Sequence, residues 1–411
     1  MKRRDFLSAA AATAPLFAPQ RSFGASDRVQ VGFIGVGGRA QWLMKNEEFR
    51  GADIVAVADC YRPRCDKAAT IRPEGSRRRK YHDYRSMLDS EKLDAVFIET
   101  TTHARTLVAL NALQAGLDVY AEKPMTLTVA EGRVLSDAVK SLGRVLQVGT
   151  QQRSMPINAW ASKRIRDGAI GRVKEVIICN FLPPGGWYPQ PAQKLPAGLN
   201  WDQWCNQCEK RPYHPWLQFR WSRYWDYDGG GQSWGVTGWG AHSFDQVQCA
   251  LGTDDTGPVE FAATKWNPTS PVIMKYANGT VLKMVGKQRD HSDLGAIFVG
   301  EKGTVEIKRG TVETNIDGFL DDAPDTTPEG PGENRFHLAN FFECIRTRRQ
   351  PNAFVEAGHR ASSLCHLVNI SRDLGRKLAW DPKAERFTND EQANGLLSRR
   401  RRKGYELPKI G

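Results

Sequence analysis

Gly35-Val36-Gly37-Gly38-Arg39-Ala40 is a run whose residue types suit one ligand chemistry. The first glycine permits a tight turn, the second lets a pyrophosphate approach the backbone, and Ala40 lets a helix pack closely on a strand. A helical pattern follows the run. Phosphate would meet free N–H groups at the helix N-terminus, next to Gly38 and Arg39. Asp59 stands where a carboxylate accepts both ribose hydroxyls of a dinucleotide and repels a 2′-phosphate. NAD is therefore favoured over NADP, although Arg62 and Arg64 follow closely.

These residues need a scaffold, and the hydrophobic pattern supplies one. Val29–Ile34 reads as a buried parallel strand running into the glycine turn, and residues 54–58 read as a second strand ending at Asp59. A third strand over 93–98 ends in Glu99-Thr100-Thr101-Thr102-His103. A helix over 106–115, a strand over 118–121 leading into Glu122-Lys123-Pro124, a helix over 129–142 and a strand over 145–148 complete an alternating βα series. Such alternation implies a parallel, doubly wound sheet. Loops at the carboxyl ends of its strands line the ligand crevice. Thr100, His103, Glu122 and Lys123 therefore join Gly35, Gly37, Gly38, Arg39 and Asp59 as expected cofactor contacts.

The second half reads differently. Residues 173–179 alternate like a half-buried strand, and 259–266, 272–276, 280–285, 296–300 and 303–308 read as further short strands, with Asn278-Gly279 as a hairpin turn. Late helices are expected over 337–347 and 356–375. Residues 321–332, rich in Asp, Pro and Gly, read as a mobile loop. Residues 182–217 form a long irregular segment rich in Pro and Trp, of the kind that shapes binding sites. Nine of the 12 Trp lie between Trp187 and Trp266. Flat apolar ring faces suit sugar C–H groups, and equally suit a large core.

Charge and cysteine content narrow the classes. The net +12 is unevenly spread: residues 1–26 hold +3, and the run 399–403 holds +5. That distribution argues against a nucleic-acid surface, and Arg77 to Lys80 reads as a solvated loop. Eight cysteines in 411 residues make no disulfide framework. Cys205 and Cys208 form a CxxC with no second pair, read as a local disulfide or two packed thiols rather than a metal site; no metal is expected. No apolar run is long enough for a membrane span. Lys2-Arg3-Arg4-Asp5-Phe6-Leu7 before a short apolar stretch reads as a twin-arginine export signal. The expected organisation is a signal over 1–26, a dinucleotide-binding domain over 27–150, a substrate and oligomerisation domain over 151–385, and a basic tail over 386–411.

The glycine turn, Asp59 and Glu122-Lys123-Pro124 together resemble the glucose–fructose oxidoreductase/inositol dehydrogenase (Gfo/Idh/MocA) family. Val148-Gly149-Thr150-Gln151-Gln152-Arg153-Ser154, Gly229-Gly230-Gly231, Gly240-Ala241-His242-Ser243-Phe244-Asp245 and Glu356-Ala357-Gly358-His359-Arg360 extend the resemblance over residues 27–381. It is strongest to the exported, twin-arginine branch. The resemblance implies an α/β fold: an N-terminal Rossmann domain plus a C-terminal α+β domain with an open, mainly antiparallel sheet. It also implies a homo-oligomer, dimer or tetramer, periplasmic or otherwise exported, that transfers hydride between NAD and a sugar or cyclic polyol. Lys123 and His242 take the catalytic roles of proton transfer and alkoxide stabilisation. The family's usual Asp, four residues before that His, is Gly238 here. Asp245 or an acid from the Tyr224-Trp225-Asp226-Tyr227-Asp228 loop is a candidate replacement. Thr101 and Arg105 also depart from the Pro and second His of the exported branch. Arg153, Tyr188, His214, Arg223, Tyr224 and Asp245 are candidate substrate contacts. Two other readings keep the fold: an NAD-retaining glycoside hydrolase that oxidises transiently, eliminates, hydrates and reduces, and an inactive sugar-binding relative.

Overall fold

The computed structural model describes residues 27–72, 78–265, 267–286, 295–325 and 334–410. The proposed export signal, Arg77 and most of the expected mobile loop lie outside them.

Six strands form the first sheet: β1 (Val29–Ile34), β2 (Ala52–Ala58), β3 (Arg79–Tyr81), β4 (Ala95–Ile98), β5 (Asp118–Ala121) and β6 (Leu146–Val148). Their order is β3-β2-β1-β4-β5-β6, and every pairing is parallel. The order reverses between β1 and β4. Their two outgoing loops, the glycine turn and Glu99–His103, therefore part there and leave a crevice. Helices cover both faces. Phe33, Phe97 and Tyr120 stack in series across β1, β4 and β5, with ring centroids 4.7 and 4.6 Å apart. Phe341 and Phe342 close that core from helix Arg335–Thr347, so the chain returns late to the first sheet. His337 fixes this return: one ring nitrogen lies 2.9 Å from the Val148 carbonyl oxygen and the other 2.8 Å from the Ser154 hydroxyl.

The second sheet has nine strands: β7 (Val173–Cys179), β8 (Glu260–Ala263), β9 (Val272–Lys275), β10 (Val281–Gly286), β11 (Ala296–Gly300), β12 (Thr304–Ile307), β13 (Val312–Thr314), β14 (Leu378–Asp381) and β15 (Arg386–Phe387). Their order is β13-β12-β11-β7-β10-β9-β8-β14-β15. Only β7 and β10 run parallel. Alternate residues such as Val176, Met274, Leu282 and Phe298 face inward, onto helices Gly240–Leu251 and Val355–Leu374. His242 lies on the first turn of helix Gly240–Leu251.

Two expectations about charge are corrected. Arg79 and Lys80 belong to β3, where Arg79 pairs with Glu91 and Lys80 with Asp66. The Arg78 guanidinium donates to the Ile71, Arg72, Ala68 and Ile54 carbonyls, so residues 78–80 are ordered structure rather than a loop, with the Arg79 and Lys80 side chains exposed. The terminal run is no free tail either. Arg399 stacks on Trp225, Arg401 pairs with buried Glu131, and Arg402 pairs with Asp202 at 2.6 Å. A guanidinium spreads its charge over a flat fork of donors, which suits it to close carbonyl and carboxylate contacts. Cys205 and Cys208 are buried free thiols, and the Cys208 thiol donates to the Asp226 carbonyl at 3.0 Å. No helix among the described residues is long and apolar enough to cross a membrane.

Candidate active site

The glycine turn has the geometry that its residue types call for. Gly35 adopts φ +83°, and a Cβ there would lie 2.7 Å from the Thr100 backbone. Any side chain would force β1 and β4 apart at the crevice. Gly37 caps helix Gly38–Asn46, which has no side-chain cap and no acid in its first turn. A Cβ on Gly38 would meet nothing within 4 Å, and one on Gly37 only the Arg64 guanidinium at 3.8 Å. The helix N-terminus thus keeps free N–H groups and a cradle beside them, which fits an anionic pyrophosphate. A cavity of about 220 Å³ runs from this turn past Asp59, Glu99, Thr100 and Thr101. Asp59 is buried, accepts the Tyr61 amide at 2.9 Å, and is pushed above the usual carboxylate range by burial. Ribose hydroxyls would relieve that cost. The buried Thr100 hydroxyl also lacks a partner. The residues present therefore fit a nicotinamide dinucleotide.

Glu122, Lys123 and His242 do not line this cavity; the loop after β5 carries the first two next to it, where Glu122 binds the cavity residue Arg39. Glu122 accepts from Arg39 Nε at 2.7 Å and from the Lys123 amide at 2.9 Å. Lys123 Nζ donates to the Gly238 carbonyl at 2.8 Å, two residues before the helix that bears His242. Burial pulls Lys123 below the ordinary lysine range, while the Glu122 and Asp228 charges oppose that shift. His242 is buried, and its Nδ1 has no hydrogen-bond partner. Burial, with the charges of Lys123 and Arg309, pulls its pKa well down. Burial thus favours the neutral imidazole of His242, whose Nδ1 is unpartnered, while the neighbouring acids favour the Lys123 cation.

Gly238, the apparent gap in the catalytic set, has a steric cause. A Cβ there would fall inside the van der Waals shell of the Gln232 carbonyl oxygen. The Gly229-Gly230-Gly231 loop folds over this position and excludes every side chain. Of the candidate replacements, Asp228 is the one whose charge acts on Lys123. Asp228 is fully buried, accepts the Thr102 hydroxyl at 2.6 Å and the Gly229 amide at 2.6 Å, and also binds the Thr237 hydroxyl. It links the loop after β4 to the residue preceding Gly238, and its charge acts on Lys123.

Other candidates have different duties. Asp245 does not reach His242: both its oxygens lie 2.8 Å from Arg153 Nε, and Arg153 also binds Asp254 at 2.6 Å. Arg153 and Asp245 are thus a buried structural pair rather than substrate contacts. His214 Nδ1 caps helix Pro215–Arg220 by accepting the Trp216 amide, and its other nitrogen lies 3.2 Å from Gln193 Nε2. His103 does not line the cavity; its Nε2 is 2.8 Å from the Trp204 carbonyl oxygen, and burial lowers its pKa to about 4. Tyr188 is exposed and stacks on Trp187, which meets Tyr224 edge-on at 4.9 Å. Arg223 is exposed beside them.

Four residues were not named as site residues by the sequence reading, although Arg105 was noted there as a departure from the family. Glu99 lines the cavity with both carboxylate oxygens unpartnered, and burial and Glu122 push its pKa well up. Arg105 donates to the Thr100 carbonyl at 2.6 Å and to the Pro124 carbonyl, tying together the two loops that flank the crevice. Gln203 and Trp204 reach the cavity from the irregular segment. The acid at the end of β4 was a visible signal for Glu99; nothing local marks the others.

A parallel sheet in 3-2-1-4-5-6 order, a phosphate cradle, a ribose carboxylate and a Lys–His pair define a dinucleotide-dependent oxidoreductase. Family models agree. Residues 29–150 match the "Oxidoreductase family, NAD-binding Rossmann fold" model, and residues 185–407 match the "Oxidoreductase family, C-terminal alpha/beta domain" model. The chain belongs to the Gfo/Idh/MocA oxidoreductase family, and NAD is its cofactor. It is 25% identical over 342 residues to the scyllo-inositol 2-dehydrogenase (NAD(+)) of Bacillus subtilis, spanning 79% of this chain and 88% of that one. It is 37% identical to a levoglucosan dehydrogenase from Pseudarthrobacter phenanthrenivorans, over 91 residues that make up 22% of this chain and 23% of that one. Among solved structures, the WlbA dehydrogenase of Bordetella pertussis, in complex with NADH and UDP-GlcNAcA, shares the fold with a TM-score of 0.61 at 18% identity. That match covers 86% of this chain and 99% of the other.

Proposed function

We propose that this enzyme transfers a hydride between NAD and a CH–OH group of a sugar or cyclic polyol. The observation that carries the reading is the Lys123–Gly238 contact, which holds a half-buried amine just ahead of the helix that bears His242, near enough for its charge to lower the His242 pKa. The dinucleotide supplies the hydride acceptor. His242 takes the hydroxyl proton at its ring nitrogen, and Lys123 Nζ stabilises the alkoxide charge that develops on the same oxygen. Asp228 holds Lys123 cationic and fixes the 237–238 backbone. Its presence removes the sequence ground for a non-catalytic relative. The named relatives oxidise inositol and levoglucosan, which supports a cyclic polyhydroxylated substrate. Tyr188 and Tyr224, gathered on Trp187, offer ring faces to such a compound.

The expected readout is nicotinamide absorbance with a panel of inositols, pyranoses and anhydrosugars. Lys123→Ala lowers kcat/KM by about a thousand-fold or more while NAD binding survives. Activity that survives Lys123→Ala overturns the assignment.

The same reading includes export by the twin-arginine route and assembly through the open face of the second sheet. Half-exposed Ile177, Ile273, Val281, Ile297 and Val299 support the latter. A processed N-terminus that depends on a functional twin-arginine translocase, and a dimer or tetramer in sedimentation, are the expected results.

A further inference from the structure

One wall of the dinucleotide cavity does not come from the Rossmann half. Gln203, Trp204 and Asn206 from the irregular segment, and Trp221 just beyond it, line the same cavity as Asp59. Because Asp59 ends β2, this wall faces the adenosine end.

The segment is bound there on three sides. The Arg62 amide donates to Gly198 O at 2.9 Å and the Asn200 amide to Cys60 O at 2.8 Å, around a bridge between Tyr61 and Leu199. His103, from the helix after β4, lies 2.8 Å from the Trp204 carbonyl oxygen. From behind, Arg402 donates to Asp202 at 2.6 Å and to the Asn206 carbonyl at 2.8 Å, and the Tyr405 hydroxyl donates to Asp202 at 2.7 Å. Trp201 and Trp204 stack at 4.4 Å with Tyr213 edge-on, so the wall keeps its shape through a small core of its own.

Two polar atoms on this wall are buried without partners: the acceptor Gln203 Oε1 and the donor Trp204 Nε1. Buried polar groups are rarely left so; both residues line the cavity, and a turn of each side chain toward it would give its orphaned atom a ligand partner. An adenine ring offers both complements, an exocyclic amino donor and ring-nitrogen acceptors.

We propose that residues 198–221 form an adenosine-binding wall, in which Gln203 and Trp204 hydrogen-bond the base, and that the Arg402–Asp202 clasp must open for dinucleotide to exchange. The proposal rests on the NAD reading of the site, and two ligands separate it from that reading. Nicotinamide mononucleotide lacks the adenosine half.

In the full chain, Gln203→Leu weakens NAD about ten-fold in equilibrium dialysis and leaves nicotinamide mononucleotide binding unchanged. Arg402→Ala, which touches no ligand-facing atom, speeds release of radiolabelled NAD at least ten-fold in chase experiments. Equal NAD affinity in wild type and Gln203→Leu overturns the wall. An unchanged release rate in a folded Arg402→Ala protein overturns the clasp; should that variant melt at room temperature, Asp202→Asn takes its place. Wild-type protein that binds neither ligand refutes the dinucleotide reading itself, a different failure.

Discussion

Asp245 and Asp228 are both buried carboxylates of the second domain, yet their surroundings give them different work. Asp245 meets a formal cation directly, with both oxygens at 2.8 Å from Arg153, and the pair is shared with Asp254. Its charge is consumed where it stands, and the pair joins residues 151–154 to helix Gly240–Leu251. Asp228 meets two threonine hydroxyls and a backbone amide, none of them charged. Hydroxyls satisfy the oxygens without neutralising them, so the field of Asp228 still reaches Lys123. Proximity in sequence to His242 favours Asp245, but the kind of partner decides function.

The largest effect that tests this contrast is on stability. Arg153→Ala strands Asp245 in the interior, and loss of one member of a buried pair costs about 3–5 kcal/mol. Chemical denaturation should show that loss, and whatever protein folds should retain its kcat. A kcat that falls with Arg153 while stability holds would make Arg153 a substrate contact after all. Next comes Gly238→Asp, which restores the residue usual in the family. The structure gives its side chain no room against Gln232, and overpacking of this kind costs about 1–3 kcal/mol. The expected variant melts lower and is less active. Higher activity would mean that the 229–232 loop yields and that Asp228 is dispensable.

The same contrast explains how far the sequence could be read. The glycine turn, Asp59 and Glu122-Lys123-Pro124 are local: each lies within a few residues of a strand end, and the strand pattern places it. Nearly every strand of both sheets was visible for that reason. The short strands β3, β13, β14 and β15, at or next to a sheet edge, were not, because two to four residues carry too little periodicity. The duties of Arg153, His103 and the terminal arginines were hidden for another reason. Their partners lie 92, 101 and 200 residues away. A side chain able to recognise a hydroxyl is equally able to pair with an acid, and only the tertiary structure selects between these roles. Asp228 was open as one acid in a loop of several. Its choice over Asp226 depends on Thr102 and Thr237, which no spacing rule connects to it.

The smallest effect is the most diagnostic. Asp228→Asn preserves shape and most of the hydrogen-bond capacity, so the melting temperature should move little. It removes one of the two carboxylates that hold Lys123 up against burial. The Lys123 pKa therefore falls further. If the protonated amine stabilises the alkoxide, the alkaline limb of the kcat/KM profile must move to lower pH. At neutral pH the rate should drop about ten- to a hundred-fold, the size typical when a residue that orients a reactive group is lost. A merely structural Asp228 would lower stability and leave the limb in place. Asp245→Asn is the matched control: it should destabilise the fold and leave the alkaline limb unmoved, because its charge is already spent on Arg153. If instead the limb moves with Asp245 and not with Asp228, the two carboxylates exchange roles, and the hydroxyl-held acid becomes the structural one.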